Sequence, residues 1–159
     1  MVPIAHGTSA TAFKATVNGG YADPLANEAL NLMSIPGQDQ LVWIQSGEPT
    51  TLYCGDQTDG EALRVCQLIS NSLLGYKVGG TDVVPGLATK CDPSADNLTW
   101  TCSLRSGLKF SDGSPLTAND VVETYAVQWD AADPLHTGEN GLFDYWPGLF
   151  GAFLNPPKK

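Results

Sequence analysis

Apolar and polar residues alternate strictly from residue 98 to residue 105. Apolar side chains occupy every second position, and threonine, serine or arginine lies between them; the apolar positions are Leu98, Trp100, Cys102 and Leu104. A period of two is typical of a strand with one face buried. The pattern therefore predicts a half-buried strand over these residues.

A tight turn and a helix are predicted directly after this strand. Asp112-Gly113 favours a turn, because glycine accepts a positive φ. Thr117 is suited to cap a helix, and Asp120 completes a variant of the capping box. Proline disfavours helix at the residue before it, so the helix should end by Pro134. The apolar residues that follow the cap lie at helical spacing: Val121, Val122, Tyr125 and Trp129.

Helical spacing also marks residues 62–74, with Asp59 as the expected cap and Gly75 as the expected stop. Residues 76–88 then suit an edge strand, a Gly-Gly turn and a second short strand. Before this helix, residues 41–44 form an apolar run that predicts a short buried strand. Residues 4–17 suit one or two short strands, and residues 25–33 suit either a strand or a helical turn.

Four cysteines bear on the cellular compartment: Cys54, Cys66, Cys91 and Cys102. Four cysteines allow three pairings, and sequence alone does not choose among them. The turn between Cys91 and Cys102 favours that pair across a hairpin, which leaves Cys54 for Cys66. The competing interpretation is a zinc site, but no C-x-x-C pair is present. Two disulfides predict an oxidising location: periplasm, cell surface or exterior.

Charge and composition exclude several functions. The 159-residue chain has a net charge of -9 and only eight Lys and Arg, so the basic surface of a nucleic-acid binder is missing. No apolar run approaches the roughly 20 residues of a membrane-spanning helix. The first residues also lack the pattern of a secretory signal, and we expect that the sequence starts inside a longer protein.

The sequence gives little support for a catalytic or metal-binding function. No G-x-S-x-G, H-E-x-x-H or G-x-x-x-x-G-K motif occurs, and no spacing pairs His6 or His136 with Ser9 or a carboxylate. Residues 56–61 hold three acids, but they lack the twelve-residue calcium loop. We therefore predict a protein that is not an enzyme and that carries no metal or cofactor.

A longer pattern spans the predicted strand, turn and helix. It is L-R-x-G-x-x-F-x-D-G-x-x-x-x-A-x-D-V, and it resembles the hallmark of family 5 solute-binding proteins of ABC importers. Those proteins bind peptides, nickel and related solutes outside the cell membrane. The resemblance covers residues 41–135 and includes the family's P-x-L-A at Pro85, Leu87 and Ala88. The nine hallmark positions are Leu104, Arg105, Gly107, Phe110, Asp112, Gly113, Ala118, Asp120 and Val121.

The resemblance implies an α/β (α+β) fold, namely lobe I of a type II periplasmic-binding-protein-like fold with a mixed sheet and two main helices. Residues 41–159 would form this N-terminal lobe. Residues 1–40 resemble the family's C-terminal end, as in a circular permutation or the junction of a tandem array. The matching positions are Pro3, Ile4, His6, Val17, Gly19 and Pro24. Domain termini are often close in space, so a permutation within one compact domain is physically reasonable.

Candidate ligand-binding residues come from two places. The loop after the family's first strand lies near the cleft between lobes, which implies Gly47, Glu48 and Pro49. An ordinary turn with Glu48 in solvent is the alternative. The aromatic C-terminal stretch adds Tyr145 and Trp146, because aromatic rings supply large contact areas in solute pockets. These rings could equally cap the core.

The function implied is the extracytoplasmic substrate-binding component, or a lobe of one, of an ABC importer for peptides or similar small polar solutes. Its partners would be the solute and the membrane permease. A secreted interaction module stapled by disulfides, with no transported solute, is the alternative. A lone lobe encloses solute on one side only, so we expect weak binding.

Overall fold

The computed structural model describes residues 10–21, 28–56, 58–136 and 145–155. Within them, the helices are α1 (Gly60–Ile69), α2 (Ala118–Trp129) and α3 (Tyr145–Phe150). The strands are β1 (Leu74–Tyr76), β2 (Val83–Pro85), β3 (Ala88–Pro93) and β4 (Trp100–Leu104). Two short 3-10 turns, Leu30–Leu32 and Cys54–Asp56, precede α1. The α+β class and the two main helices agree with the expectation from sequence.

The strands form two antiparallel hairpins. Strand β1 pairs with β2, and β3 pairs with β4. The mixed sheet expected from the resemblance is therefore absent among the described residues. The physical reason is connectivity, since parallel pairing needs a long crossover, whereas each of these strands meets its partner through a short turn.

The first hairpin shortens the helix that precedes it. Sequence periodicity extended the helix to residue 74, but α1 ends at Ile69. The carbonyl oxygen of Leu73 instead accepts from the amides of Gly86 and Ala88. Gly86 allows this approach, because a Cβ atom there would lie 2.3 Å from the carbonyl oxygen of Ser72. Backbone pairing between distant segments thus overrides the helical pattern.

Both predicted disulfides are present. Cys91 and Cys102 lie directly opposite each other in the β3–β4 register and form a disulfide. Cys66, on α1, is joined to Cys54 in the preceding 3-10 turn. Each bond therefore crosslinks two elements that are also neighbours in sequence.

The strand, turn and helix predicted around residue 110 are also present. Gly113 has a φ of +89° in the turn. The Asp120 carboxylate accepts from the Thr117 amide and hydroxyl at 2.7 and 2.8 Å. The Thr117 hydroxyl, and after it the Thr117 amide, lower the pKa of Asp120. Helix α2 ends at Trp129, close to the boundary set by Pro134.

The described part of the chain buries few large apolar side chains. The buried apolar residues are Met33, Ala62, Cys66, Ala88 and Ala131. Many large apolar side chains of the described residues are exposed to solvent instead, among them Leu98 at 83% and Val122 at 66%.

Two sequence predictions of burial are wrong. Residues 41–44 form no strand, and Val42 and Ile44 are more than 80% exposed. On β4, Cys102 and Leu104 are half-buried, but Trp100 is 60% exposed. Periodicity shows which side chains share a face, whereas burial requires another layer to cover that face. No second layer covers Trp100 within the described residues.

The N-terminal part contributes a turn and an isolated bridge. Asn18 and Ser34 exchange two backbone hydrogen bonds of 2.8 and 3.1 Å. Residues 30–32 form a helical turn, one of the two alternatives expected for residues 25–33. No strand forms among residues 10–21. The division at residue 40 stays a prediction, and Pro3, Ile4 and His6 lie outside the described residues.

The disulfides should dominate stability. Replacing Cys91 and Cys102 together by serine should lower the free energy of unfolding by about 3 kcal/mol, because a loop of this size gains that much chain entropy when it is opened. Urea unfolding of the oxidised proteins measures the loss. The Cys54, Cys66 double serine variant should lose a similar amount. A thiol titration that found free cysteines in the unreduced, denatured protein would contradict the pairing.

Acid should weaken the start of α2. A carboxyl group whose folded pKa is lowered stabilises the fold above its unfolded pKa, and this stabilisation is lost as pH falls through the folded pKa. Urea unfolding of Asp120→Asn should therefore show a smaller loss between pH 5 and pH 2 than the parent protein. Asp39→Asn, in an exposed loop, is the control and should retain the parent's pH dependence.

Candidate functional site

The loop of residues 45–49 lies against the first turn of α1. Asp59 caps this helix by accepting from the Ala62 amide at 2.8 Å, and the Thr50 hydroxyl donates to the same carboxylate at 3.1 Å. The Ser46 hydroxyl donates to Glu61. This hydrogen bond, followed by one from the backbone amide of Glu61, lowers the pKa of Glu61. The helix start is thus tied to both ends of the loop.

An open cavity of about 630 Å³ lies beside this loop. Gly47 and Glu48, two of the predicted ligand-binding residues, line it, whereas Pro49 does not. Glu48 is exposed. The cavity combines an apolar wall with a few polar groups, as small-solute sites commonly do. The other lining residues are Leu30, Trp43, Ile44, Gln45, Ser46, Arg64, Val65 and Leu68.

A buried ion pair supports the wall of this cavity. Arg64 Nε lies 3.3 Å from Glu28 Oε2, and its Nη1 donates to Gln45 Oε1 at 3.3 Å. The Arg64 guanidinium carbon also lies 5.9 Å from the ring centre of Trp43. Thr11 donates its hydroxyl to the other oxygen of Glu28 at 3.2 Å. The cluster joins the N-terminal part of the chain to α1.

A larger groove, of about 1010 Å³, lies between the end of α1 and the face of α2. Helix α3 contributes Leu149 and Phe150 to it. The Phe150 ring packs on Trp129 with 4.9 Å between ring centres, and Trp129 Nε1 donates to the Ala152 carbonyl at 2.9 Å. The side chains of Tyr145 and Trp146, the other predicted ligand-binding residues, lie outside the described part of the structure. Their backbone begins α3.

His136 has a structural environment. Its Nδ1 lies 2.7 Å from the Val127 carbonyl oxygen, and the ring meets Phe153 edge-on at 6.3 Å. His136 lines neither the cavity nor the groove. The other histidine, His6, and Ser9 lie outside the described residues. Among the residues described, no group of three or more potential metal ligands comes together.

Comparison with known proteins connects this fold with a family. Residues 82–140 match the model described as "Bacterial extracellular solute-binding proteins, family 5 Middle". The matched range includes the β3–β4 hairpin, the turn at Gly113 and α2. This part of the chain is similar to a segment of the family 5 solute-binding proteins.

Curated relatives support the same assignment. The dipeptide-binding protein of Escherichia coli is 38% identical over 116 residues, covering 69% of this chain and 22% of that protein. The periplasmic murein peptide-binding protein of E. coli is 46% identical over 88 residues, covering 55% of this chain and 16% of that protein. Heme-binding protein A of Haemophilus influenzae is 34% identical over 89 residues, covering 52% of this chain and 16% of that protein. The chain thus spans about a fifth of the length of these relatives.

The comparisons confirm two predictions. The family is the one that the hallmark pattern indicated, and the extracytoplasmic location agrees with the family description. These relatives are named as binding proteins, which is consistent with a chain that is not an enzyme. None of the helices described is long and apolar enough to cross a bilayer.

Sequence reasoning missed the residues that hold the loop in place. Arg64 is a charged residue among largely apolar neighbours on α1. This contrast between charge and surroundings could have indicated a residue with a specific partner. Its partner Glu28 lies 36 positions earlier in the chain. Neither spacing nor periodicity connects residues that far apart, so only the tertiary structure identifies the pair.

Proposed function

We propose that this chain supplies one lobe, lobe I, of the extracytoplasmic substrate-binding component of an ABC importer. The observation that carries the proposal is the family 5 match across the β3–β4 hairpin and α2, together with relatives named for peptide binding. The proposed solute is a short peptide or a similar small polar molecule.

The cavity beside Gly47 is the proposed contact surface for the solute. The Glu48 carboxylate can pair with a peptide's amino group or with a basic side chain, and a glycine at residue 47 leaves its backbone accessible. Trp43 and Ile44 offer an apolar surface next to these polar groups. This combination suits a peptide, which presents charge, backbone and side chain within a few ångströms.

The remaining wall of the site must come from outside the described surface. The cavity is open on one side, so solute bound there keeps much of its contact with water. Binding proteins of two lobes close around a ligand, and the closed form is what we propose the permease recognises. We also propose that residues 1–40 take the place of the family's C-terminal end within the same lobe.

Titration with a short peptide tests this proposal. Adding alanyl-alanine to ¹⁵N-labelled protein should shift the amide signals of Gly47 and Glu48. The Kd should be much weaker than 1 μM, the value that corresponds to a binding free energy of about -8 kcal/mol. Glu48→Gln should weaken binding by about fivefold, since an exposed ion pair contributes at most about 1 kcal/mol. Glu123→Gln, on the exposed side of α2, is the matched control.

Two results would count against the proposal. Submicromolar binding would show that one lobe encloses the solute by itself. Shifts confined to the groove beside Phe150, with no change at Gly47 or Glu48, would place the solute at the other cavity.

A further inference from the structure

We propose that Arg64 is a positioning residue for the solute-binding loop. It fixes Gln45 on the face of α1 and so holds Gly47 and Glu48 at the cavity. The loop's purpose rests on the proposed function, but the positioning itself does not. Arg64 and Glu28 are assigned no role by the family pattern described above.

The guanidinium of Arg64 makes three different contacts. It pairs with Glu28, donates to Gln45 and lies over the Trp43 ring. A planar guanidinium carries five N–H donors in a fixed arrangement, so one side chain can satisfy two acceptors while its face meets an aromatic ring. Trp43 and Gln45 are thereby both held by one residue of α1.

Burial makes this arrangement rigid. The Glu28 side chain is 5% exposed and the Arg64 side chain 16%. A buried carboxylate requires a charged or hydrogen-bonding partner, and Glu28 has both Arg64 and Thr11. Glu28, in the N-terminal part of the chain, thus fixes Arg64, and Arg64 in turn fixes Gln45 of the loop.

A second contact from the same helix adds to the effect of Arg64. Glu61 and Arg64 are three residues apart on α1, so they lie on one face of the helix. Glu61 accepts from Ser46, and Arg64 donates to Gln45. Two consecutive loop residues are therefore attached to the helix immediately before Gly47 and Glu48. This attachment sets the direction in which the loop leaves the helix.

Backbone order parameters from ¹⁵N relaxation test the inference without any ligand. Gln45→Leu removes the acceptor but leaves the Glu28–Arg64 pair intact, so the melting temperature should change little. The order parameters of Gly47 and Glu48 should fall from about 0.85 towards 0.6 or below. Arg64→Lys should give the same local loss, because an ammonium pairs with Glu28 as a point charge and lacks the planar second donor.

Arg105→Lys is the matched control. Arg105 donates to the Pro85 carbonyl on the hairpin and touches no loop residue in the contacts described. In the Arg105→Lys variant, the order parameters of Gly47 and Glu48 should equal those of the parent protein. Unchanged order parameters in Gln45→Leu would overturn the inference, even if Arg64→Lys proved too unstable to measure.

The order-parameter experiment and the peptide titration test the two proposals independently. Loosening of the loop with no effect of Glu48→Gln on peptide binding would keep the positioning role and remove the proposed solute site. A rigid loop in Gln45→Leu, with the expected peptide shifts in the parent protein, would remove the positioning role and keep the proposed solute site.

Discussion

Two short covalent crosslinks constrain a chain whose buried apolar residues, among those described, are limited to alanine, cysteine and methionine. Each disulfide closes a loop of about a dozen residues, and each joins two elements that are neighbours in sequence. An isolated two-stranded hairpin is marginally stable in water. The Cys91–Cys102 bond adds a covalent link to the β3–β4 hairpin, and the Cys54–Cys66 bond ties the C-terminal half of α1 to the 3-10 turn that precedes this helix.

Polar contacts position what the disulfides hold together. The caps at Asp59 and Thr117 determine where α1 and α2 begin, and the Glu28–Arg64 pair attaches the N-terminal part of the chain to α1. A buried ion pair adds less to net stability than to specificity, because desolvation offsets much of the attraction. Here the specificity concerns which residues face the cavity beside Gly47.

The exposed apolar surface fits the family assignment. The chain matches about a fifth of the length of relatives that bind dipeptides or murein peptides, and Trp100, Val42 and Ile44 remain open to solvent. In the proposed function, the chain forms one of two lobes around the solute, and the cavity beside Gly47 is one wall of the site.

The sequence alone determined the local features: the caps, the turn at Gly113, the β3–β4 hairpin and the resemblance to the family. It favoured the Cys91–Cys102 disulfide but did not exclude the other pairings. Each depends on residues within a few positions of one another, and short-range hydrogen bonding and backbone preference decide them. The tertiary structure decided where α1 ends, that residues 41–44 form no strand and that Arg64 meets Glu28. Those outcomes depend on which distant backbone or side chain occupies the neighbouring space, and a linear pattern carries no information about that.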